Sequence, residues 1–270
     1  MSFLDLFRKK RKGGVERASN IIADSNKHSS VVECYNRLKD NLLYLNYDSK
    51  VKVIQVESAI SGEGKTTLIC NLAVSLALNE KKVCVVDLDF RKPRVHRTFG
   101  LENENGIAEY LLDKITEEEL IKKTKYNVDV INRGGSIGNP SLALTCAKFS
   151  ELMAKLREEY DFVLVDAPPV LQISDYVNIS RETDGVIFVV AAGYTRRSQI
   201  RDAFSEMRKN KINVIGTVMT FVKKRGAYSK YYNYYGGKYY YYNNSSYYDT
   251  QDEEDSAESV EESVDQSQEV

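Results

Sequence analysis

A glycine-rich segment carries the first side chains of this sequence that could do chemistry. It reads AISGEGKT at positions 59–66 and ends on Lys65 and Thr66. In such a loop, between a strand and a helix, backbone N–H groups surround phosphates, a lysine reaches the β and γ oxygens, and a hydroxyl binds Mg²⁺. Ala59 replaces the usual first glycine of the motif. The predicted Mg²⁺-nucleotide site is lined by Ser61, Gly62, Glu63, Gly64, Lys65, Thr66 and Thr67.

Three aspartates follow two apolar segments of strand length. VVDLDFR at 85–91 contains Asp87 and Asp89, and FVLVDAPP at 162–169 contains Asp166. Alternation of side chains places Asp87 and Asp89 on one side if the strand persists that far. Phosphoryl transfer needs Mg²⁺ and a group that orients or deprotonates the incoming hydroxyl, and nearby carboxylates can divide these tasks. The alternative for each segment is a strand that simply ends in a solvated acid.

Apolar periodicity indicates the elements that must position these groups. Predicted strands cover 51–56, 83–87, 128–132, 162–166, 185–191 and 214–220, and predicted helices cover 31–45, 64–78, 106–112, 116–123 and 142–160. Strands alternating with helices indicate an α/β fold, a mostly parallel sheet with helices on both faces. Such sheets bind ligands at the carboxyl ends of strands, where the loop and the aspartates fall.

The two ends of the chain differ from its centre in composition. We predict a basic flexible arm at 1–30, a folded domain at 31–222, and a disordered tail at 223–270 that is first tyrosine-rich and then acidic. The tyrosine-rich part is either a sticky low-complexity segment or a cluster of phosphate acceptors. The candidate acceptors are Tyr228, Tyr231, Tyr232, Tyr234, Tyr235, Tyr239, Tyr240, Tyr241, Tyr242, Tyr247 and Tyr248.

Composition also excludes several classes of protein. The four cysteines are scattered, without CxxC spacing or histidine partners, which favours reduced thiols over zinc ligands or disulfides. The longest apolar run, at 186–192, is far shorter than the roughly 18 to 20 residues of a membrane span. We therefore expect a cytoplasmic protein. Separately, we expect no nucleic-acid partner.

Together, the three segments resemble the signatures of the bacterial tyrosine kinases of capsule and exopolysaccharide synthesis: a P-loop, an acidic strand of the form hhhDxDxR, and hhhDxPP. The resemblance implies an ATP-dependent P-loop protein-tyrosine kinase that phosphorylates its own tail and regulates polysaccharide synthesis and export. It implies that Lys65, Asp87 and Asp89 are catalytic. It also implies that Thr66, Asp87 and Asp166 organise Mg²⁺, with Asp87 a candidate base.

The resemblance extends to partners. Residues 33–41 look like the family's oligomerisation helix, with Asn36 and Lys39 at the two arginine positions of its E-x-x-R-x-x-R pattern. It implies a homo-oligomer, with a ring as one form, in which a tail reaches a neighbouring active site more easily than its own. It further implies a separate transmembrane activator that recruits the kinase to the inner face of the plasma membrane. The basic arm is the alternative anchor.

The main alternative function is that of a partitioning or cell-division positioning ATPase of the same P-loop group, a dimeric switch that phosphorylates no protein. Such loops usually carry an extra lysine at the position of Ile60. The absence of this lysine, the tyrosine-rich tail and the Asp-x-Asp-x-Arg segment at 87–91 favour the kinase. A non-catalytic, nucleotide-regulated scaffold is a third class.

Overall fold

The structure, a computed structural model, describes residues 21–22, 30–49 and 51–222. The eleven tail tyrosines and most of the basic arm lie outside these ranges, so the predictions made for them stay predictions. Within these ranges, no helix has both the length and the apolar character that crossing a bilayer requires.

Strands and helices alternate along the described chain. The strands are β1 (Val53–Ser58), β2 (Val83–Asp87), β3 (Ile121–Lys123), β4 (Val128–Ile131), β5 (Phe162–Asp166), β6 (Gly185–Ala191) and β7 (Val214–Thr220). The helices are α1 (Ser30–Ser49), α2 (Lys65–Ala77), α3 (Val95–Phe99), α4 (Ile107–Leu111), α5 (Glu117–Leu120), α6 (Pro140–Ala143), α7 (Ala147–Glu159), α8 (Asp175–Ser180) and α9 (Arg197–Lys209).

The strands of the described chain form one sheet in the order β3-β4-β2-β5-β1-β6-β7. All neighbours are parallel except β3 and β4, which are antiparallel. The predicted mostly parallel α/β fold is therefore confirmed. In this order β5 lies between β1 and β2, so the glycine-rich loop after β1 and the acidic ends of β2 and β5 meet at one edge of the sheet.

Apolar cores cover both faces of the sheet. On one face Ile54 and Val56 of β1 pack with Leu72 of α2, and all three side chains are fully buried. On the other face Val163 packs with Leu152 of α7. Burying one such side chain contributes about 1.5 to 3 kcal/mol to the stability of the fold. Because the sheet is buried on both faces, its strands are nearly continuous apolar runs in the sequence. These two cores hold the loop-bearing edge in place.

Two predicted helices are wrong in part. Residues 116–123 are helical only as far as Leu120, and 121–123 then form β3, whose pairing satisfies the outer backbone groups of β4. Residues 142–160 are divided between α6 and α7. The side chain of Leu142 is 67% exposed, so it does not share the buried face that Phe149 presents on α7.

Three helices were not predicted: α3, α8 and α9. The longest of them, α9, buries only Ala203 and Met207, with Ile200 and Phe204 partly buried beside them. This narrow stripe lies among charged side chains, so the apolar signal of the segment is weak.

Candidate active site

The loop between β1 and α2 has the backbone geometry of a phosphate cradle. Gly62 and Gly64 adopt φ values of 90° and 88°, which glycine tolerates because it has no Cβ. Gly64 is the N-cap of α2 and makes no side-chain cap, so the first N–H groups of the helix remain available to an anion. Ala59 is fully buried, and its carbonyl accepts the N–H of Leu171 at 3.2 Å. The alanine therefore belongs to the packed base of the loop.

Glu63 fixes the shape of this loop from inside. Its buried carboxylate accepts the N–H of Ile60 at 2.7 Å and the hydroxyl of Thr195, which follows β6. Its carbonyl accepts the hydroxyl of Thr220, the last residue of β7, at 2.7 Å. Because the carboxylate is committed to the loop, any phosphate contact from Glu63 is left to its main-chain N–H.

Lys65 and Thr66 open α2 and face the neighbouring strand ends. Lys65 is 8% exposed, and its Nζ donates to the hydroxyl of Ser58 at 3.1 Å. Thr66 Oγ1 donates to Asp166 Oδ2 at 2.5 Å. The parallel pairing of β1 with β5 brings this aspartate to the loop. A cation, a hydroxyl and a carboxylate that were predicted as site residues are thus brought together.

Asp87 and Asp166 form a buried carboxylate pair, opposite each other in the β2–β5 ladder. Asp87 Oδ2 accepts the N–H groups of Arg94 and Val95 at 3.1 and 3.2 Å, and Oδ1 accepts that of Asp89 at 3.2 Å. Asp166 Oδ1 has no hydrogen-bond partner among the described residues. One acid is therefore held by the following loop, while the other presents an unsatisfied oxygen.

Burial raises the pKa of both carboxyls. The pKa of Asp166 rises from 3.8 to about 6 because burial disfavours its charged form, although Lys65 and the Thr66 hydroxyl act in the opposite direction. The pKa of Asp87 lies well above its ordinary value, first through burial and then through the charge of Asp166. A cation placed beside the pair would favour its ionised form.

The oxygen donors at this edge fit a magnesium ion. Mg²⁺ is bound through one or two carboxylates together with substrate phosphates and water. The hydroxyl of Thr66 and the unsatisfied oxygen of Asp166 are donors of this kind. In the part of the chain that the structure describes, no group of three or more His, Cys, Asp or Glu side chains could hold a metal alone. The donors therefore suit a metal that is bound together with a nucleotide.

Asp89 does not share the strand geometry of Asp87. Alternation would place both acids on one side only if β2 continued, and β2 ends at Asp87. The Oδ1 atom of Asp89 accepts the N–H groups of Arg91 and Lys92 at 3.1 and 2.9 Å. The half-buried carboxylate therefore closes the turn after β2.

The sequence did not predict the residues near the ends of β6 and β7 that bond to the phosphate loop. The hydroxyl of Tyr194 donates to the carbonyl of Ser61 at 3.3 Å, and Thr195 and Thr220 bond to Glu63. These partners are separated from the loop by 132 to 157 residues. No local spacing marks such contacts, since only the order of the strands makes them neighbours.

A further buried carboxyl lies on β1, close to the loop. Glu57 is fully buried, its Oε1 accepts the side-chain amide of Gln55 at 2.6 Å, and its Oε2 has no partner in the described part of the chain. Burial raises the pKa of Glu57 from 4.5 to about 8, although Lys65 lowers it. The folded protein therefore keeps this group mainly neutral at pH 7.

We expect the Glu57→Gln variant to gain stability over the wild type as pH rises from 5 to 8. Across this window the folded chain holds more of the Glu57 proton than the unfolded chain, which is already mostly ionised at pH 5, so the wild type loses stability with rising pH. The difference in free energy of unfolding should grow by roughly 3 kcal/mol. Urea unfolding of both proteins at each pH measures it, with exposed Glu104→Gln as the matched control. A constant difference across the window would contradict the assignment.

The two positions that depart from the oligomerisation pattern contact α2 and the turn that follows it in the same chain. Lys39 is 8% exposed and donates to Asn79 Oδ1 at 3.1 Å. Ser75 donates to Asn36 Oδ1 at 3.3 Å. These side chains therefore help to dock α1 on its own domain.

The fold and the site define a class. A phosphate-binding loop on a central parallel strand, with acids at the ends of two neighbouring strands, is the arrangement of a P-loop nucleotide-binding protein. In agreement, a family model described as an AAA domain matches residues 51–214.

Known relatives identify the family within this class. The chain is 34% identical over 228 residues to tyrosine-protein kinase YwqD of Bacillus subtilis (strain 168), a match that covers 84% of this chain and 95% of the relative. It is 29% identical to the putative tyrosine-protein kinase CapB of Staphylococcus aureus, over 76% of this chain and 91% of the relative. The chain belongs to the bacterial tyrosine-protein kinase family, which confirms the predicted protein-tyrosine kinase.

Comparison with solved structures supports this family assignment. The kinase domain of Escherichia coli tyrosine kinase ETK matches with a TM-score of 0.74 and 27% identity, over 84% of this chain and 89% of that one. The chimerical protein CapA2B2 matches with a TM-score of 0.71 and 30% identity, over 74% and 89%. The cell division ATPase MinD of Pyrococcus furiosus, at 24% identity, 62% and 71% coverage and a TM-score of 0.53, shares the fold alone.

Proposed function

We propose that this kinase transfers the γ-phosphoryl group of ATP to tail tyrosines of a neighbouring subunit, and that this reaction regulates capsular and exopolysaccharide synthesis and export. The observation that carries the phosphoryl-transfer step is the unsatisfied Asp166 Oδ1 beside Thr66, next to the phosphate loop. The similarity to kinases that include a CapB protein supports the choice of process.

The loop would hold the nucleotide mainly through its backbone. The N–H groups of residues 61–67 would face the phosphates, since Gly62 and Gly64 leave the α2 N-terminus uncapped and close to an anion. Lys65 would exchange its hydrogen bond with Ser58 for the β and γ oxygens. Thr66, Asp87 and Asp166 would hold Mg²⁺, which neutralises charge on the phosphate oxygens when bound.

Asp87 is the proposed proton acceptor of the transfer, with Asp89 supporting it in the acidic site. A tyrosine hydroxyl has a pKa of about 10, so it attacks well only when a carboxylate takes its proton. As the tyrosine oxygen bonds to the γ-phosphorus, the bond from that phosphorus to ADP breaks and the phenolic proton passes to the carboxylate. Asp87 lies opposite Asp166 at the edge of the sheet that carries the phosphate loop, and the ionised form that a bound cation favours is the form that can accept the proton.

The proposed organisation follows the domain boundaries. The domain at 31–222 carries the catalytic site, and the tail at 223–270 carries the acceptors. A homo-oligomer would bring one subunit's tail to the next subunit's site, with α1 at the contact. By the family resemblance, a separate transmembrane activator would hold the kinase at the inner face of the plasma membrane.

A mixing experiment tests transfer between subunits. One partner is the full-length Lys65→Met variant, which has an intact tail and no catalytic lysine. The other is a full-length active protein in which all eleven tail tyrosines are changed to phenylalanine. We expect each protein alone to give no tail phosphotyrosine with ATP and Mg²⁺, and the mixture to phosphorylate the tail of the Lys65→Met chain.

The controls separate the possible failures. A wild-type protein that labels its tail while the mixture stays unlabelled would show transfer within one chain. Phosphate release from the wild type without phosphotyrosine would favour the switch ATPase. Tail-variant protein that still labels itself would place the acceptors outside the tail. Peptide mapping by mass spectrometry identifies the modified tyrosines.

A further inference from the structure

The sheet order places the two sides of the phosphate loop in different surroundings. On one side of β1, the ends of β5 and β2 carry Asp166 and Asp87. On the other side, Thr220 at the end of β7 and Thr195 in the segment after β6 both bond to Glu63 of the loop, and both side chains are uncharged. In the proposed function, the acidic side would hold the metal, the transferred phosphoryl group and the incoming tyrosine. The opposite end of a nucleotide, its base, is therefore left to the side of β6 and β7.

Phe221 lies on that side, directly after β7. A Cβ built on Gly64 would be 3.6 Å from the Cζ atom of Phe221, so the ring tip lies against the glycine that begins α2. The preceding residue, Thr220, donates its hydroxyl to the Glu63 carbonyl at 2.7 Å. The position of the ring is thus tied to the loop that would hold the phosphates.

The conformation of Phe221 is unusual for an exposed apolar residue. Its φ is 55°, in the left-handed region that a bulky side chain rarely occupies. Its side chain is nevertheless 59% exposed. Neither burial nor a strand ladder therefore accounts for this conformation, and strained residues of this kind cluster at ligand sites.

We propose that Phe221 is the platform on which the nucleobase of the bound nucleotide stacks. This proposal rests on the proposed binding of ATP at the P-loop. An aromatic ring stacks on the π-face that every base has, so the platform supports affinity for adenine and guanine nucleotides alike. Phe221 is thus a binding and positioning residue that anchors the base while Lys65 and Thr66 hold the phosphates.

Binding of Mg-ADP and Mg-pyrophosphate to the full-length protein tests this. Both ligands carry two phosphates and neither can be used for transfer, so their comparison isolates the base. We expect Phe221→Ala to weaken Mg-ADP binding about tenfold in calorimetry, to weaken Mg-GDP binding by a similar factor, and to leave Mg-pyrophosphate binding unchanged. Phe221→Tyr should bind like the wild type, and Phe221→Leu should resemble the alanine variant because it keeps bulk but has no π-face.

Two control variants and the wild type make each outcome decisive. Met219→Ala removes a similarly exposed side chain of β7 and should bind all three ligands like the wild type. Tyr194→Ala removes the other exposed aromatic beside the loop.

A selective loss of ADP binding in Tyr194→Ala but not in Phe221→Ala would overturn the proposal. Equal losses of ADP and pyrophosphate in Phe221→Ala would also overturn it, since the ring would then support the loop. A wild type that binds no ADP would refute the proposed function itself.

Discussion

Replacing Lys65 by methionine is expected to lower tail phosphorylation by at least about a hundredfold, the loss typical of removing one preorganised electrostatic contact to a transition state. The ammonium of Lys65 is nearly buried at the start of α2: the residue is 8% exposed, and its Nζ donates to the Ser58 hydroxyl at the end of β1. Methionine has a similar length and no charge, so the phosphoryl oxygens would lose their nearest positive partner. The measurement is the initial rate of phosphotyrosine formation by full-length protein at saturating ATP and Mg²⁺.

We expect the Lys65→Met variant to fold normally, so that a loss of phosphorylation can be assigned to the missing ammonium group. Ser58 keeps a second hydrogen bond, in which its hydroxyl donates to the Ile60 carbonyl at 2.8 Å. An unchanged thermal unfolding profile would establish that the loop is still formed. Lys114→Met, at an exposed lysine after α4, is the matched control and should keep wild-type activity. A Lys65→Met protein with more than about a tenth of the wild-type rate would exclude the proposed role.

The second large effect is expected from Asp166→Asn, with a loss of roughly a hundredfold to a thousandfold in the same assay. The amide keeps an oxygen that can accept the Thr66 hydroxyl but removes the negative charge that would attract Mg²⁺. Mg²⁺ titration of nucleotide binding is the more specific readout. The concentration of Mg²⁺ needed for half-maximal ADP affinity should rise in the variant.

Asp202→Asn is the control for this effect, because Asp202 is an exposed aspartate on α9 whose carboxylate pairs with the neighbouring Arg201. It should leave both the rate and the Mg²⁺ requirement unchanged. If Asp166→Asn lowered the rate without changing the Mg²⁺ requirement, the carboxylate would act on the tyrosine or on Lys65 and not on the metal. Comparison with Thr66→Val, which removes only the hydroxyl, tests whether the two ligands act together.

The nucleotide loop was predictable because its requirements are local. Glycines with positive φ, a lysine and a hydroxyl at the start of a helix all lie within a few residues of one another, so their spacing alone marks the motif. The parallel α/β sheet was predictable for a related reason. Strands buried on both faces are continuous apolar runs, and Phe162–Asp166 and Gly185–Ala191 have the bounds that this pattern indicates.

Predictions failed where the outcome depended on long-range packing. Residues 121–123 form β3 because the edge of β4 offers them a partner, and a weak helical pattern cannot show this. The alternation argument for Asp89 depended on where β2 ends, and the turn closed by its own carboxylate replaces the strand there. Leu142 matches a helical stripe in the sequence but points to solvent in the fold.

By itself, the sequence predicted the kind of chemistry: a loop for phosphates, acids for a metal, and a cluster of candidate acceptor tyrosines in the tail. The tertiary structure decided which groups act together. The order β2-β5-β1-β6-β7 pairs Asp87 with Asp166, brings Thr195 and Thr220 to Glu63 of the loop, and places Phe221 against Gly64. The physical reason is that a motif fixes only neighbours in the chain, whereas strand order fixes which distant strand ends share one edge of the sheet.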